Sequence, residues 1–328
     1  MASGPCGRNT AQLSRVSCSA RSAVSASVRH GSSKVIVRQR QAAPRVIVVS
    51  IIDLLFPVGA GAARGHILYT AGMTNPNLVN ALKSYANNPT SVVEGALLVS
   101  NIIDPDSDSQ WCRKQLQEIA AGMASDSGAA GLVTALGELG FTGASEYYQS
   151  ANSNLQHVLR ERKGIPISLA AMVIGVAEQL GLQAHGVNFP GHFIVAVDKV
   201  LIDPFTMTLV DETESHRWLR KQGFDPKTAF SVATPQLFVV RMLNNLTGLA
   251  RASDNLPRAL ELADYKLAVT PERLPIYLER AELWIAVGVN DMARRDLESA
   301  LELVTDANSR RSIEQRLGDL EDTPTRLH

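Results

Sequence analysis

Cysteine is scarce in this chain of 328 residues, which holds three. That is too few for a disulfide framework and points to a reducing compartment. Aromatic residues make up only 5%. Paired metal ligands at helical spacing are missing, which argues against a metal-dependent hydrolase. No cofactor-binding motif stands out, so no cofactor is expected. Acidic residues are absent from positions 1–45. What remains is ample for a core: 45% of residues are hydrophobic and 20% charged, which excludes disorder over most of the length. The length suits two domains better than one.

The net charge of zero hides an asymmetry. Residues 1–72 carry nine Lys/Arg against one acid, Asp53, a balance of +8. From residue 73 onward 23 basic residues face 31 acidic ones, a balance of −8. An acidic folded part disfavours a nucleic-acid partner. Three readings of residues 1–72 stay open. A Ser/Arg-rich, acid-poor start resembles an organellar transit peptide. Val46–Ala63 is apolar enough to suggest a membrane or signal segment, although Asp53 and Pro57 interrupt it. The third reading is a translation start at Met73, with residues 1–72 a disordered or non-native extension. On that reading the working protein is cytoplasmic, and no membrane association is expected.

From Met73 the pattern is helical. Asn75 or Thr74 can cap a helix that Pro76 opens, and a break at Asn87-Asn88-Pro89 precedes a second helix with Ser91 as its cap. Asp104-Pro-Asp106-Ser-Asp108 resembles the start of a calcium loop. It lacks the glycine due at position 109 and the acid due at 115, so it reads as a capped helix start. Cys112, with no histidine near it in sequence, reads as a packed thiol. Gly164-Ile165-Pro166 then separates a short helix from an almost wholly apolar one, Ile167 to Leu180, which should be buried.

Three strand-like runs follow: Ala184–Asn188, His192–Val197 and Val200–Phe205. A tight turn at Asp198-Lys199 pairs Val197 with Val200, so opposite residues sum to 397. In that register His192, Ile194, Asp203 and Phe205 share one face. His192 and Asp203 become diagonal neighbours, roughly 7–8 Å apart at the backbone. A carboxylate beside an imidazole fixes its tautomer and raises its basicity, the supporting half of a nucleophile–His–Asp triad. The same pair also serves as a plain hydrogen bond at a strand edge. Gly191 beside the histidine permits close approach of a backbone or ligand, and Asn188 can donate to a bound carbonyl.

The strings Asn152-Ser-Asn-Leu-Gln-His-Val-Leu-Arg160-Glu-Arg162-Lys-Gly-Ile-Pro-Ile-Ser168, Gly186-Val-Asn-Phe-Pro-Gly-His192-Phe and Ile202-Asp-Pro-Phe205 resemble the SirB-type family. That resemblance spans roughly residues 75–325. It implies an α+β, mostly helical fold: a transglutaminase-like (papain-related) core over 73–232 with a small antiparallel sheet, then tetratricopeptide-like repeats over 233–328. Some eukaryotic F-box proteins are similar in carrying such a module, which implies adaptor use. Catalytic relatives open the core helix with a cysteine. Aligning Ala170 and Gly181 with their pattern puts that position at Pro166, which has no nucleophile. Ser168 lies two residues on, out of register, at a helix start where a serine often bonds locally.

Residues 240–305 repeat with a period of 34: Ala259 and Ala293, Ala263 and Leu297, Pro271 and Thr305. Two repeats are too few to stand alone. The expected function is therefore non-catalytic binding of a protein or peptide through the repeat groove. Ser168, His192 and Asp203 are the catalytic candidates of the alternative, a hydrolase or acyl-transfer enzyme. Asn188, Gly191 and His192 are the binding candidates.

Overall fold

A computed structural model describes residues 74–124 and 128–321. The readings of residues 1–72, including a membrane segment over 46–63, lie outside the described residues. Among the described residues no helix is long and apolar enough to cross a membrane. The described residues are mostly helical and form two small sheets.

Helices α1 (Pro76–Asn87) and α2 (Val92–Ile103) begin where Asn75 and Ser91 offer side-chain oxygens to the unpaired first-turn N–H groups. α3 (Ser109–Ala121) begins at Asp108, whose carboxylate accepts from Trp111 N–H at 2.9 Å. Asp104 closes a turn by accepting from Asp106 N–H at 3.1 Å. The acidic run is thus a turn and a cap. Cys112 is fully buried, and burial pushes its thiol up to about 11. α4 (Gly128–Glu138) follows. The two-residue strands β1 (Thr142–Gly143) and β2 (Lys163–Gly164) pair in parallel around α5 (Leu155–Glu161).

α6 (Pro166–Gln179) is the centre of the fold, with every residue from Pro166 to Ala177 buried. The main sheet has the order β6-β5-β4-β3-β7, antiparallel throughout. Its strands are β3 (Ala184–Phe189), β4 (His192–Val197), β5 (Val200–Asp203), β6 (Thr208–Leu209) and β7 (Ser231–Val232). Alternation splits β4 between two cores. Phe193, Val195 and Val197 join the large cluster that contains α6, whereas Ile194 and Ala196 join a smaller one with Val187, Phe189 and Leu219. Leu219 lies on α7 (Glu212–Lys221), which with the single-turn α8 (Pro226–Ala229) covers this second face.

Five helices complete the chain: α9 (Pro235–Ala252), α10 (Leu256–Val269), α11 (Leu274–Ala286), α12 (Asn290–Leu303) and α13 (Ala307–Glu321). α12 starts and ends 34 residues after α10, and α11 ends 34 after α9. Ala259 and Ala293 are fully buried in equivalent places, where a small side chain lets neighbouring helices approach. Polar groups are matched within this stack. Lys266, fully buried, donates to Glu279 and, at 3.1 Å, to Asn244. Arg280 grips Asp296 through two bonds of 2.8 and 2.6 Å and also pairs with Asp264.

The stack is continuous with what precedes it. α1 packs on α10 and α2 on α9. A Cβ on Gly95 would lie 2.4 Å from Val239 Cγ2, so only glycine permits the α2–α9 approach. Arg258 donates to Ile102 C=O at 2.7 Å, and the Tyr265 hydroxyl accepts from Asn75 N–H at 3.0 Å. One hydrophobic cluster accordingly runs from Leu82 to Leu320.

Candidate functional site

The start of α6 places the first candidate. Ile165 is extended, and Pro166, which lacks an N–H and has a fixed φ, suits the first helical position. Ser168 therefore falls at the third, where its side chain turns back over the helix end. Its Oγ accepts from Ile165 N–H at 3.1 Å, and its one proton faces two carbonyls, Asn152 at 2.5 Å and Ile165 at 3.0 Å. The residue has no exposed surface. A Cβ on Gly164 would meet Oγ at 2.7 Å and Val158 Cγ2 at 2.9 Å, so the packing above the hydroxyl is closed as well. Local bonding was foreseeable, whereas the bond to Asn152, 16 residues earlier, is a tertiary contact. Among the described residues, no hydrogen bond joins Ser168 to His192 or Asp203.

The hairpin places the second and third. Val197 pairs with Val200 and Val195 with Ile202, the register that sums to 397. Asp198 and Lys199 both have positive φ, 47° and 72°, the geometry of a two-residue turn that matches strand twist. His192 Nε2 lies 2.9 Å from Asp203 Oδ1, with the side chains 12% and 19% exposed. That oxygen also accepts from Phe205 N–H at 2.8 Å. Burial pushes the Asp203 carboxyl up, but the bond and charge of His192, with help from Phe205 N–H and Thr206, hold it below the ordinary carboxylate value. The ring's other nitrogen, Nδ1, takes no part in that bond. By alternation His192 belongs to the face of Ile194, while α6 shares its core with Val195 and Val197 on the other.

The two binding candidates have structural duties. Gly191 has φ 72° and follows Pro190 between the paired residues Phe189 and His192, the Pro-Gly arrangement of a type II turn. The turn accounts for this glycine. Asn188 donates to Ser231 Oγ at 3.3 Å and accepts from Arg241 Nη1 at 2.6 Å.

Arg241 is the residue that sequence reading missed. It lies on α9, lies over the Phe193 ring at 5.0 Å, and reaches the His192 carbonyl with Nη2 at 3.4 Å. Its one signal was a lone charge inside the apolar run Phe238-Val-Val-Arg-Met-Leu243. Burial lowers its pKa, and the neighbouring Tyr147 hydroxyl works the other way. Tyr147 is 39% exposed, stands edge-on to Tyr148, and lies 6.3 Å from Phe205 between ring centres. Phe205 is itself pinned: its carbonyl accepts from Gly143 N–H at 2.8 Å, and a Cβ on Gly143 would strike its ring at 2.3 Å. Tyr148, 79% exposed, also lines a groove of about 620 Å³ that Leu249, Arg258, Glu261 and Tyr265 border. The groove runs between the first helices and the α9–α10 pair.

Comparison with known proteins fits this geometry. Residues 110–244 match the transglutaminase-like superfamily. A UPF0162 protein of Xylella fastidiosa (strain Temecula1) is 31% identical over 204 residues, 58% of this chain and 73% of the relative. A UPF0162 protein of Pseudomonas aeruginosa is 29% identical over 256 residues, 73% of this chain and 94% of that protein. F-box only protein 21 of Homo sapiens is 26% identical over 159 residues, 44% of this chain but 25% of the F-box protein. No solved structure matches the chain. The chain belongs to the UPF0162 family, and its residues 110–244 are similar to the transglutaminase-like superfamily.

Proposed function

We propose that this chain is a non-catalytic, SirB-type transglutaminase-like protein that binds a protein or peptide. Its papain-related core over residues 73–232 continues into tetratricopeptide-like repeats over 233–328, and it works in the cytoplasm without a nucleic-acid partner. The observation that carries the reading is the start of α6. In the register that the resemblance implies, Pro166 stands at the nucleophile position, and the Ser168 hydroxyl two residues on is sealed and committed to Asn152 and Ile165. A nucleophile must be within reach of a base, and among the described residues Ser168 Oγ is bonded only to the backbone of Ile165 and Asn152. The 34-residue spacing of the helix ends supports the repeats, and the groove of about 620 Å³ at Tyr148 supplies a concave surface. The shared stretch makes up 25% of F-box only protein 21, so there it stands beside other sequence.

The second reading, a hydrolase or acyl-transfer enzyme through Ser168, His192 and Asp203, rests on the 2.9 Å His192–Asp203 contact. A fluorophosphonate probe separates the two. The non-catalytic reading expects no labelling of Ser168 by peptide mass spectrometry. Stoichiometric labelling that His192→Ala abolishes would establish the enzyme.

A further inference from the structure

A guanidinium carries five N–H donors and a charge that burial penalises, so an arginine within a fold is ordinarily matched by a carboxylate. Lys266, Arg258 and Arg280 follow that rule with Glu279, Glu261 and the Asp264–Asp296 pair. Arg241 departs from it. Among the described residues its hydrogen-bond partners are an amide oxygen, Asn188 Oδ1, and a backbone carbonyl, His192 O. Two bonds leave three N–H donors uncommitted. Among the described residues, burial and the Tyr147 hydroxyl dominate its electrostatics.

The group is nonetheless held in place. Asn188 is fixed by Ser231 and by its seat in β3, and the Phe193 ring lies beneath the guanidinium plane. Phe193 is held edge-on by Phe238 at 5.1 Å. A planar cation that is positioned, desolvated and short of an anion is a receptor for one. Its fork matches the two oxygens of a carboxylate. A phosphate dianion asks for more positive charge than the single arginine here supplies, and Asp203 is bonded to the ring of the same His192.

We propose that Arg241 binds a peptide carboxylate, either a C-terminal one or that of an Asp or Glu side chain, with Asn188 and Phe193 as positioning residues and Tyr147 at the rim. The proposal deepens the binding reading above, naming the ligand group that this end of the sheet recognises. A chain that is net acidic from residue 73 onward, with a cation short of a carboxylate at this place, suits a partner whose body is neutral or basic and whose anchor is a single carboxylate.

The experiment is a titration of the full chain, labelled with 15N-arginine, that follows the Arg241 Nε–H signal. Three probes are added in turn: the tripeptide Ac-Ala-Ala-Gly as free acid, the same peptide as its C-terminal amide, and Ac-Ala-Glu-Gly-amide. Saturable shifts with the free acid identify a C-terminal carboxylate, and shifts with the glutamate peptide identify a side-chain one. The amide should leave the signal unmoved. Arg241→Lys, which keeps the charge but not the fork, should bind about ten-fold more weakly or worse while melting like the wild type. No saturable shift with either carboxylate, equal shifts with the amide, or undiminished binding by the lysine variant would overturn the proposal. Fluorophosphonate labelling reads the non-catalytic claim separately, so a labelled Ser168 and a silent Arg241 are distinguishable failures.

Discussion

The start of α6 and the open end of the β3–β4–β5 sheet both present polar side chains at a central element, yet they treat them in opposite ways. At α6 the Ser168 hydroxyl has every partner it can use and no surface. At the sheet, His192 keeps an unused ring nitrogen, Arg241 keeps unused donors, and Tyr147 remains partly exposed. A saturated polar group stabilises a fold, whereas an unsaturated and positioned one awaits a ligand. The difference teaches that polar groups at the α6 start are used up by the architecture, whereas the sheet end and the adjoining α9, where the proposed recognition falls, keep polar groups with capacity to spare.

The comparison breaks most completely if the helical stack is an independent body. Residues 235–328 expressed alone should lose cooperative unfolding, because Phe238 and Val239 are fully buried and α9 and α10 lean on α2 and α1. A dispersed NMR spectrum and a sharp melt from that fragment would show that the stack needs no platform.

A second contrast sets two half-buried arginines side by side. Arg280→Ala strands Asp296, only 4% exposed, and removes one partner from Asp264, and should cost about 3–5 kcal/mol in urea unfolding. Arg241→Ala leaves only neutral acceptors behind and should cost about 1 kcal/mol. Equal losses would place Arg241 among the structural ions and remove its distinction.

Asp203→Ala comes next, at about 1–3 kcal/mol, since His192 and Phe205 N–H lose their acceptor. The pH dependence has a definite sign. The folded carboxyl titrates below its unfolded value, so the unfolded chain binds more protons and stability rises with pH. This contribution is complete above the unfolded value of about 3.9 and disappears as pH falls through the lower folded one. Asp203→Asn should flatten that part of an acid-stability profile, and an unchanged profile would deny the His192–Asp203 bond its role. Ser168→Ala should have the smallest effect of the set, about 1–2 kcal/mol for a buried hydroxyl at a helix start, with no change in probe binding at Arg241.

Local rules carried far along this chain. Strand alternation and a two-residue turn were enough to set the register that brings His192 to Asp203, because a shift by one would have turned Ile194 and Val195 to the wrong cores. Caps at Asn75, Ser91 and Asp108 and the apolar α6 were legible for the same reason. Strands β1, β2, β6 and β7 are two residues long each, too short for any period to show. Arg241 was illegible because its meaning is tertiary: Asn188 lies 53 residues away and the His192 carbonyl 49, and a single arginine on a helix gives no pattern. The sealing of Ser168 likewise depends on Asn152 and on the closeness of Gly164, neither of which spacing announces.

The central claim, that the α6 start is closed to chemistry, is tested most directly by a crystal structure of the full chain after incubation with a fluorophosphonate. The account predicts an unmodified Ser168 with Oγ bonded to the Asn152 carbonyl and standing more than about 5 Å from either ring nitrogen of His192. A phosphonylated Oγ, or an Oγ within hydrogen-bond distance of that imidazole, would contradict it.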